Sequence, residues 1–341
     1  MHMADALLSP TVSAVMTAAS VGAMAYSAAR LRREDGPADR YIPVMGVMGA
    51  FVFASQMINF TIPATGSSGH IGGGILLAAM LGPHAALLTL AVVLIIQCLF
   101  FADGGLMALG CNIFNMGVFA CFVAYPLIFK PIARRGGNAG SIATASVLSV
   151  VVGLELGASG VVLETLASGV TELPFAAFVT LMLPVHLAIG VIEGLITSAV
   201  LCFVLQMRPD LLEFSGGVPS VRPALSFAKA LTVLLALAAL IGGGLSLYAS
   251  AYPDGLEWSM ERTAGTTELE RQGWAYETAE RVQEATAFMP DYDFKSAGPD
   301  GSGFGTSAAG VTGGAITLIA AGAIGWTISA FKKHGRKNAA V

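Results

Sequence analysis

The chain alternates between long apolar stretches and short polar connections along most of its length. Segments of about twenty apolar residues recur, which is the length that a helix needs to cross a bilayer. This pattern predicts spans at roughly 9–30, 42–60, 73–82, 83–101, 109–129, 141–165, 174–206, 226–249 and 308–331. We therefore expect an all-α integral membrane protein, a bundle of about seven helices followed by a two-span C-terminal module.

The composition agrees with this class of protein. Hydrophobic residues make up 55% of the chain and charged residues only 12%, about half the charged fraction of a soluble domain. The 41 glycines suit membrane helices that pack closely through small residues. The four cysteines lie in or beside apolar stretches without C-x-x-C spacing, which argues against a disulfide framework or a structural zinc site.

The basic residues predict the orientation, because cytoplasmic loops carry an excess of Lys and Arg. All but four of the 18 basic residues fall on one side if segment 73–101 is divided at Gly82-Pro83. The first piece is then too short to span, and we expect it to pack inside the bundle, where irregular backbone is tolerated. In the inner membrane, the C-terminus is then cytoplasmic, while the N-terminus and the loops 61–72 and 251–307 are extracytoplasmic.

The chain changes character at about residues 210–225. Before this point the spans follow one another through very short loops, and after it only two spans enclose the long hydrophilic segment 251–307. The change predicts a membrane domain at 1–212, a cytoplasmic linker at 213–225 and a two-span domain at 226–341.

The opening pair Met1-His2 suits a metal ion. A free terminal amine, the amide nitrogen of residue 2 and the Nδ1 atom of His2 close two fused chelate rings in one plane, and planar nitrogen coordination selects Cu(II) or Ni(II). No basic region precedes the first apolar stretch, so we expect no signal-peptide cleavage to remove Met1. His70 lies in a glycine-rich loop on the same predicted face, where its imidazole can fill the fourth corner.

Several further motifs lie along the predicted membrane domain. They are Met1-His2 with Leu8-Ser9-Pro10, Gln56-Met57-Ile58-Asn59-Phe60, Ser68-Gly69-His70, Leu81-Gly82-Pro83, Phe101-Ala102-Asp103-Gly104-Gly105-Leu106, Asn115-Met116-Gly117-Val118, and His186-Leu187 with Glu193-Gly194-Leu195-Ile196-Thr197. Together these motifs resemble the NikM/CbiM family, the substrate-binding subunits of energy-coupling-factor nickel and cobalt importers. The resemblance covers about residues 1–212, and family members typically continue after His2 with Ile-Pro-Asp-Gly, where this chain has Met3-Ala4-Asp5-Ala6.

A second motif lies near the start of the long hydrophilic segment. Tyr252-Pro253-Asp254-Gly255-Leu256-Glu257 resembles the PDGLE signature of NikN-type components, which are two-span proteins with an extracytoplasmic loop. The two resemblances together imply a fused protein of the NikMN type. The PDGLE signature favours nickel over cobalt as the transported ion.

The family resemblance implies a set of metal ligands. They are the Met1 amine, His2 through its amide nitrogen and imidazole, and His70. Candidates for holding the loop and the imidazole in place are Gln56, Asn59, Ser68 and Asp103, with helix-end or interhelical hydrogen bonding as the alternative for each. Candidates for relaying metal or protons through the membrane are His84, His186 and Glu193, for which structural contacts are the favoured explanation.

The sequence therefore predicts the metal-capturing subunit of an importer for Ni²⁺, with no organic cofactor. The chain has no P-loop motif for ATP, and the resemblance implies that a transmembrane coupling subunit and ATPase subunits supply the energy. One alternative is a Co²⁺ importer that supplies cobalamin synthesis. Two others are a metal sensor, disfavoured because no signalling domain is recognisable, and an intramembrane hydrolase using Ser67, Ser68 and His70, disfavoured because no G-x-S-x-G motif is present.

Overall fold

The computed structural model describes residues 2–33, 38–170, 173–215, 224–267, 269, 271–296 and 304–338. The predicted ligand Met1 and residues 216–223 of the predicted linker lie outside them. Within the described residues the helices are α1 (Pro10–Arg33), α2 (Ala38–Gln56), α3 (Gly74–Leu81), α4 (Pro83–Phe101), α5 (Leu109–Gly136), α6 (Ala139–Ser168), α7 (Phe175–Met207), α8 (Phe227–Gly243), α9 (Gly255–Ala264), α10 (Trp274–Thr286) and α11 (Gly305–Asn338), and the strands are β1 (Phe60–Ile62) and β2 (Ser67–Gly69).

Six of these helices are long and apolar enough to cross a membrane, namely α1, α4, α5, α6, α7 and α11. The helices α2 and α8 add two shorter apolar segments. The middle of α5, Phe114–Phe129, has the wider hydrogen-bonding pattern of a π-helix. The prediction of an all-α membrane protein is thus confirmed.

The break between α3 and α4 lies at the predicted position. Gly82 has φ 79° and ψ 162°, a conformation that is open to glycine and closed to most other residues. Pro83 follows at the first position of α4, where its missing N–H leaves no helical hydrogen bond unmade. All eight residues of α3 are buried, so this short helix lies inside the bundle as the sequence predicts.

The two C-terminal helices α8 and α11 pack directly on α2, and glycine allows the close approach. A Cβ atom on Gly46 of α2 would lie 2.8 Å from the carbonyl oxygen of Leu318, and one on Gly313 of α11 would lie 2.0 Å from the Phe53 ring. Helices in lipid associate through such close contacts between small residues. The C-terminal module is therefore joined to the rest of the bundle along the length of a helix.

Two loops expected from the sequence contain regular structure. The loop 61–72 contains β2 and part of β1, which form an antiparallel hairpin with Thr61 opposite Ser68. The long hydrophilic segment contains α9 and α10, and α9 begins with a capping box between Asp254 and Glu257. We call residues 245–295 the C-terminal segment.

The predicted orientation leads to a labelling experiment in intact cells. Single cysteines placed at the exposed positions Ala64 and Ser296, in a background without the native cysteines, should react with a membrane-impermeant thiol reagent. A cysteine at exposed Arg135, in the predicted cytoplasmic loop, should react only after the membrane is permeabilised. The opposite pattern would reverse the orientation derived from the basic residues.

Candidate metal site

The structure places the imidazoles of His2 and His70 side by side. Their ring centroids lie 5.2 Å apart and the ring planes differ by 12°. His2 precedes a short 3-10 turn at Asp5–Leu7, and His70 directly follows β2. The two residues that the sequence assigned to one face of the membrane thus meet in space, while their role as metal ligands stays a prediction.

The N-terminal segment is held by hydrogen bonds to its main chain. Asn112 of α5 accepts a hydrogen bond from the Met3 N–H at 2.8 Å and contacts the Met3 carbonyl through Nδ2 at 3.4 Å. The Gly105 N–H donates to the same carbonyl at 2.8 Å. Asp5 accepts a hydrogen bond from the Ala108 N–H at 2.9 Å. These contacts fix the residue after His2 and thereby limit where the His2 ring can lie.

The loop that carries His70 is fixed by close packing. The Nδ1 atom of His70 lies 3.1 Å from the Ile71 carbonyl oxygen, so the tautomer that donates there carries its lone pair on Nε2. Burial lowers the pKa of His70 to about 3, which keeps the ring neutral and able to bind a metal at neutral pH. A Cβ atom on Gly69 would lie 2.6 Å from the Ile189 side chain, so any other residue there would force Ile189 to shift.

Asp103 connects His2 to the C-terminal segment. Its Oδ1 atom lies 3.0 Å from the Nδ1 atom of His2, and its other oxygen accepts a hydrogen bond from the Tyr292 hydroxyl. Burial alone would raise the pKa of Asp103, but the charge of His2 and the hydrogen bonds from His2 and Tyr292 lower it to about 2. The carboxylate is therefore charged at neutral pH and orients the His2 ring.

The other three predicted supporting residues divide into two kinds. Gln56 donates to the Gly72 carbonyl at 3.0 Å and accepts a hydrogen bond from Gln97 at 2.8 Å, so it holds the loop next to His70. Ser68 donates from its hydroxyl to the Tyr252 carbonyl at 2.7 Å. Asn59 accepts a hydrogen bond through its backbone carbonyl from the Ser250 N–H at 2.7 Å. Ser68 and Asn59 thus bind the C-terminal segment.

The histidines His84 and His186 do not belong to the ring pair, but His186 lines a small cavity together with His70. His186 of α7 is buried and its Nδ1 atom lies 2.7 Å from the Met182 carbonyl oxygen. His84 contacts the rings of Tyr26 and Phe122. A structural role for both residues stays a prediction.

Glu193 makes a contact whose partner sequence reasoning missed. Its buried carboxylate accepts a hydrogen bond from the Gly73 N–H at 2.9 Å, so α7 holds the end of the loop that carries His70. Asn112 and Gln97 were also missed. The signal common to all three is a polar side chain within an apolar helix, and such a side chain needs a partner inside the bundle.

The C-terminal segment covers the site. The Gln283 side chain donates to the Gly104 carbonyl at 2.9 Å, and the Tyr276 hydroxyl donates to the Leu8 carbonyl at 2.8 Å. A cavity of about 1690 Å³ lies between this segment and the bundle, and its wall includes both site histidines. Carboxylates also line it, including Asp5, Asp103, Asp254, Glu257, Glu280 and Glu284. The cavity is therefore polar and acidic, which favours cations.

The PDGLE motif has a clear physical role in this cover. Asp254 accepts hydrogen bonds from the N–H groups of Leu256 and Glu257 at 2.8 and 2.9 Å, which starts α9. Leu256 is buried. A Cβ atom on Gly255 would lie 3.0 Å from the Cε1 atom of His186, so glycine lets the motif approach α7 closely.

Comparisons with known proteins give two family matches along the chain. Residues 2–211 match the CbiM family, described as a cobalt uptake substrate-specific transmembrane region, and residues 228–330 match the PDGLE domain. Two solved structures described as transition metal transporters, one of them truncated, share 31% and 29% identity. They superpose with TM-scores of 0.52 and 0.53, and cover 60% and 64% of this chain and 98% and 100% of their own.

Curated relatives carry the names of metal transport proteins. A protein of Archaeoglobus fulgidus, named provisionally as a fused nickel transport protein NikMN, is 31% identical over 98% of this chain and 99% of its own length. The cobalt transport protein CbiM of Sorangium cellulosum is 32% identical over 62% of this chain and 95% of its own. The chain therefore belongs to the CbiM family of membrane metal transport proteins and, with its PDGLE domain, is a fused protein of the NikMN type.

Proposed function

We propose that this protein captures Ni²⁺ outside the membrane as the substrate-binding subunit of an energy-coupling-factor importer. The observation that carries the proposal is the pair of stacked imidazoles at the wall of an acidic cavity. Fused relatives such as the Archaeoglobus fulgidus protein bear nickel in their names, which favours nickel. Co²⁺ remains the second candidate, because CbiM relatives are named for cobalt and the same ligands would serve it.

The proposed ligands form a plane of four nitrogen atoms. The Met1 amine, the amide nitrogen and Nδ1 of His2 and the Nε2 atom of His70 would each supply one corner. This set needs only two side chains. The described residues contain no group of three His, Cys, Asp or Glu side chains able to hold a metal. Planar nitrogen coordination selects Ni(II) over other divalent ions that prefer octahedral oxygen.

In this proposal, metal capture replaces the contact of His2 with Asp103 by a bond to the metal. In the structure the Nδ1 atom of His2 faces Asp103, so the metal takes the place of that contact when it binds. The amine and the amide must release their protons, and binding therefore competes with H⁺. Energy for import would come from a transmembrane coupling subunit and ATPase subunits, since the sequence has no P-loop motif.

Nickel binding by the purified chain tests the proposal. One Ni²⁺ per chain should bind in a low-spin, diamagnetic form, because a plane of four nitrogen atoms imposes that state. His70→Ala should weaken binding at least a hundredfold, since a corner of the plane is lost, while Ser68→Ala should retain it. Titration followed by magnetic susceptibility measures both. A paramagnetic nickel centre, or binding that survives His70→Ala, would contradict the planar site.

The Asn112 clamp on Met3 predicts a further effect. Asn112→Ala leaves the buried Met3 N–H without its acceptor, which costs about 1–3 kcal/mol and frees the segment that carries His2. We expect nickel affinity to fall roughly tenfold or more, on the scale of 1.4 kcal/mol per factor of ten. Asn138→Ala is the matched control, because Asn138 caps α6 far from the site in the predicted cytoplasmic loop. Equal losses of affinity in the two variants would contradict the clamp.

The free N-terminus can be tested by inserting Gln between Met1 and His2. The new Met-Gln-His start offers an amine, two amides and an imidazole, which fill all four corners without His70. Nickel should then bind as well as before or more tightly, but without joining the N-terminus to the loop 61–72. A ligand shifts conformations only through contacts that differ between them, so we expect transport to be lost. Normal nickel uptake by cells with the insertion would exclude Met1-His2 as the site.

A further inference from the structure

A second and smaller cavity lies beside the loop that carries His70. Its volume is about 10 Å³, close to the smallest space that holds a single water molecule. The loop, α7 and the PDGLE motif meet at its wall. The lining residues include Gly69, His70, His186, Ile189, Asp254 and Gly255. The cavity therefore lies where the two parts of the chain join, next to the candidate metal site.

The ring of His186 presents a hydrogen-bond acceptor at this junction. Its Nδ1 atom lies 2.7 Å from the Met182 carbonyl oxygen, and a carbonyl only accepts, so Nδ1 carries the hydrogen. In a neutral imidazole the Nε2 atom then carries the lone pair. A Cβ atom on Gly255 would lie 3.3 Å from Nε2, so this edge of the ring faces the PDGLE motif.

The Nε2 atom of His186 is a buried acceptor that needs a donor. Within the part of the chain that the structure describes, it has no hydrogen-bond partner, and the residue is only 1% exposed. An acceptor buried without a donor is unfavourable. Because His186 lines the cavity, a small donor molecule has room to reach it.

The walls of the cavity are held in place from both sides. The Ser68 N–H donates to the Pro253 carbonyl at 2.8 Å, which fixes the PDGLE motif next to the loop. A Cβ atom on Gly69 would lie 2.6 Å from the Ile189 side chain, and one on Gly255 would lie 2.9 Å from it. Both backbones already touch α7 and cannot move closer to it. A polar gap that cannot close is satisfied by a buried water molecule.

Asp254 supplies a second acceptor at the same cavity. Its Oδ1 atom accepts the N–H groups of Leu256 and Glu257, and an ionised carboxylate has lone pairs on both oxygens for further hydrogen bonds. Two acceptors at one small cavity call for a ligand with two donor hydrogens. Water is the smallest neutral molecule that has them.

We propose that this cavity binds one ordered water molecule, which donates one hydrogen bond to Nε2 of His186 and the other to the carboxylate of Asp254. The water joins α7 to the PDGLE motif beside His70. His186 is then a positioning residue that acts on the site through the water and the motif. The inference goes beyond the proposed function and holds whichever metal the protein binds.

Two other states fit the cavity less well. A metal ion needs several ligands, and within the described residues no three His, Cys, Asp or Glu side chains are arranged to hold one. In the proposed function, moreover, the Nε2 atom of His70 belongs to the planar site. Cavities that stay dry are lined by apolar side chains, whereas two histidines and a carboxylate line this one.

A high-resolution structure of the full chain, determined with and without nickel, tests the proposal directly. In both structures we expect a density peak within about 3 Å of Nε2 of His186 and at hydrogen-bonding distance from the Asp254 carboxylate. The peak should give no anomalous signal at the nickel absorption edge. An empty cavity, or a peak at this position with the nickel signal, would overturn the proposal.

Amide hydrogen exchange tests the positioning role in solution. His186→Leu removes the acceptor, and Gly255→Ala places a methyl group in contact with His186. In both variants we expect the Leu256 N–H, which Asp254 binds at the start of α9, to exchange at least tenfold faster, because the motif is released from α7. His186→Gln should restore slow exchange in part, since its side-chain oxygen is an acceptor.

A matched glycine variant and the density peak make every outcome decisive. Gly22→Ala should exchange like the unchanged chain, because a Cβ atom there has nothing within 4 Å. Exchange at Leu256 that His186→Leu leaves unchanged, or that His186→Gln does not slow relative to His186→Leu, would contradict the positioning role. If a variant fails to fold, the peak in the unchanged chain still decides. A water peak in a chain that binds no nickel would reject the proposed function alone, and nickel binding beside an empty cavity would reject the water site alone.

Discussion

The contact between His2 and His70 depends on supplying hydrogen bonds to irregular backbone at the mouth of a membrane bundle. Unpaired N–H and C=O groups are costly where water is excluded. The chain meets this requirement with polar side chains on helices that are otherwise apolar, and these side chains serve two irregular segments of backbone. Asn112 serves the main chain of Met3, Gln56 serves the carbonyl of Gly72, and Glu193 serves the N–H of Gly73. The two imidazoles meet because their neighbours are held in this way.

The same constraint explains why the two parts of the chain form one site. The bundle alone would leave the Ser68 hydroxyl, the Gly104 carbonyl and the Leu8 carbonyl without the partners that they have here. The C-terminal segment supplies Tyr252, Gln283 and Tyr276 to them. The helices α8 and α11 are packed on α2 at glycine contacts. The C-terminal segment that joins them is therefore attached to the bundle through these two helices as well as through its own hydrogen bonds.

Much of this architecture was predictable from the sequence, because the period and length of apolar stretches depend on the bilayer and not on the details of packing. The break at Gly82-Pro83 followed from charge sorting, and the structure places it at that dipeptide. The hairpin of β1 and β2 was missed because strands of three residues are too short to show an alternating pattern. The helices α9 and α10 were missed, although Asp254 and Glu257 form a readable capping signal for α9.

The site was predictable only in part, for a physical reason. His2 and His70 could be assigned to one face because topology alone decides which ends of the spans are neighbours. The roles of Asn112, Glu193 and Tyr292 depend on the rotation of each helix and on contacts between residues more than one hundred positions apart, which a single sequence does not encode in any local pattern. The likeness to the NikM/CbiM family supplied the ligand set, and no spacing rule would have paired a terminal amine with a histidine in a distant loop.

The contact between Asp103 and Tyr292 gives metal binding a direct consequence for the C-terminal segment. In the proposed function, the metal takes the place of Asp103 at the Nδ1 atom of His2. The Asp103 carboxylate then retains its hydrogen bond from Tyr292. Tyr292 and its neighbour Asp291 have positive φ angles of 61° and 50°, a region that costs a residue with a side chain about 1 kcal/mol or more. Their conformation is held by the stacking of Tyr292 on Phe101 at 5.0 Å and by the bond to Asp103. A change at Asp103 therefore acts on a backbone that is already strained. This strained backbone belongs to the C-terminal segment, so metal binding at His2 is coupled directly to the segment that covers the site.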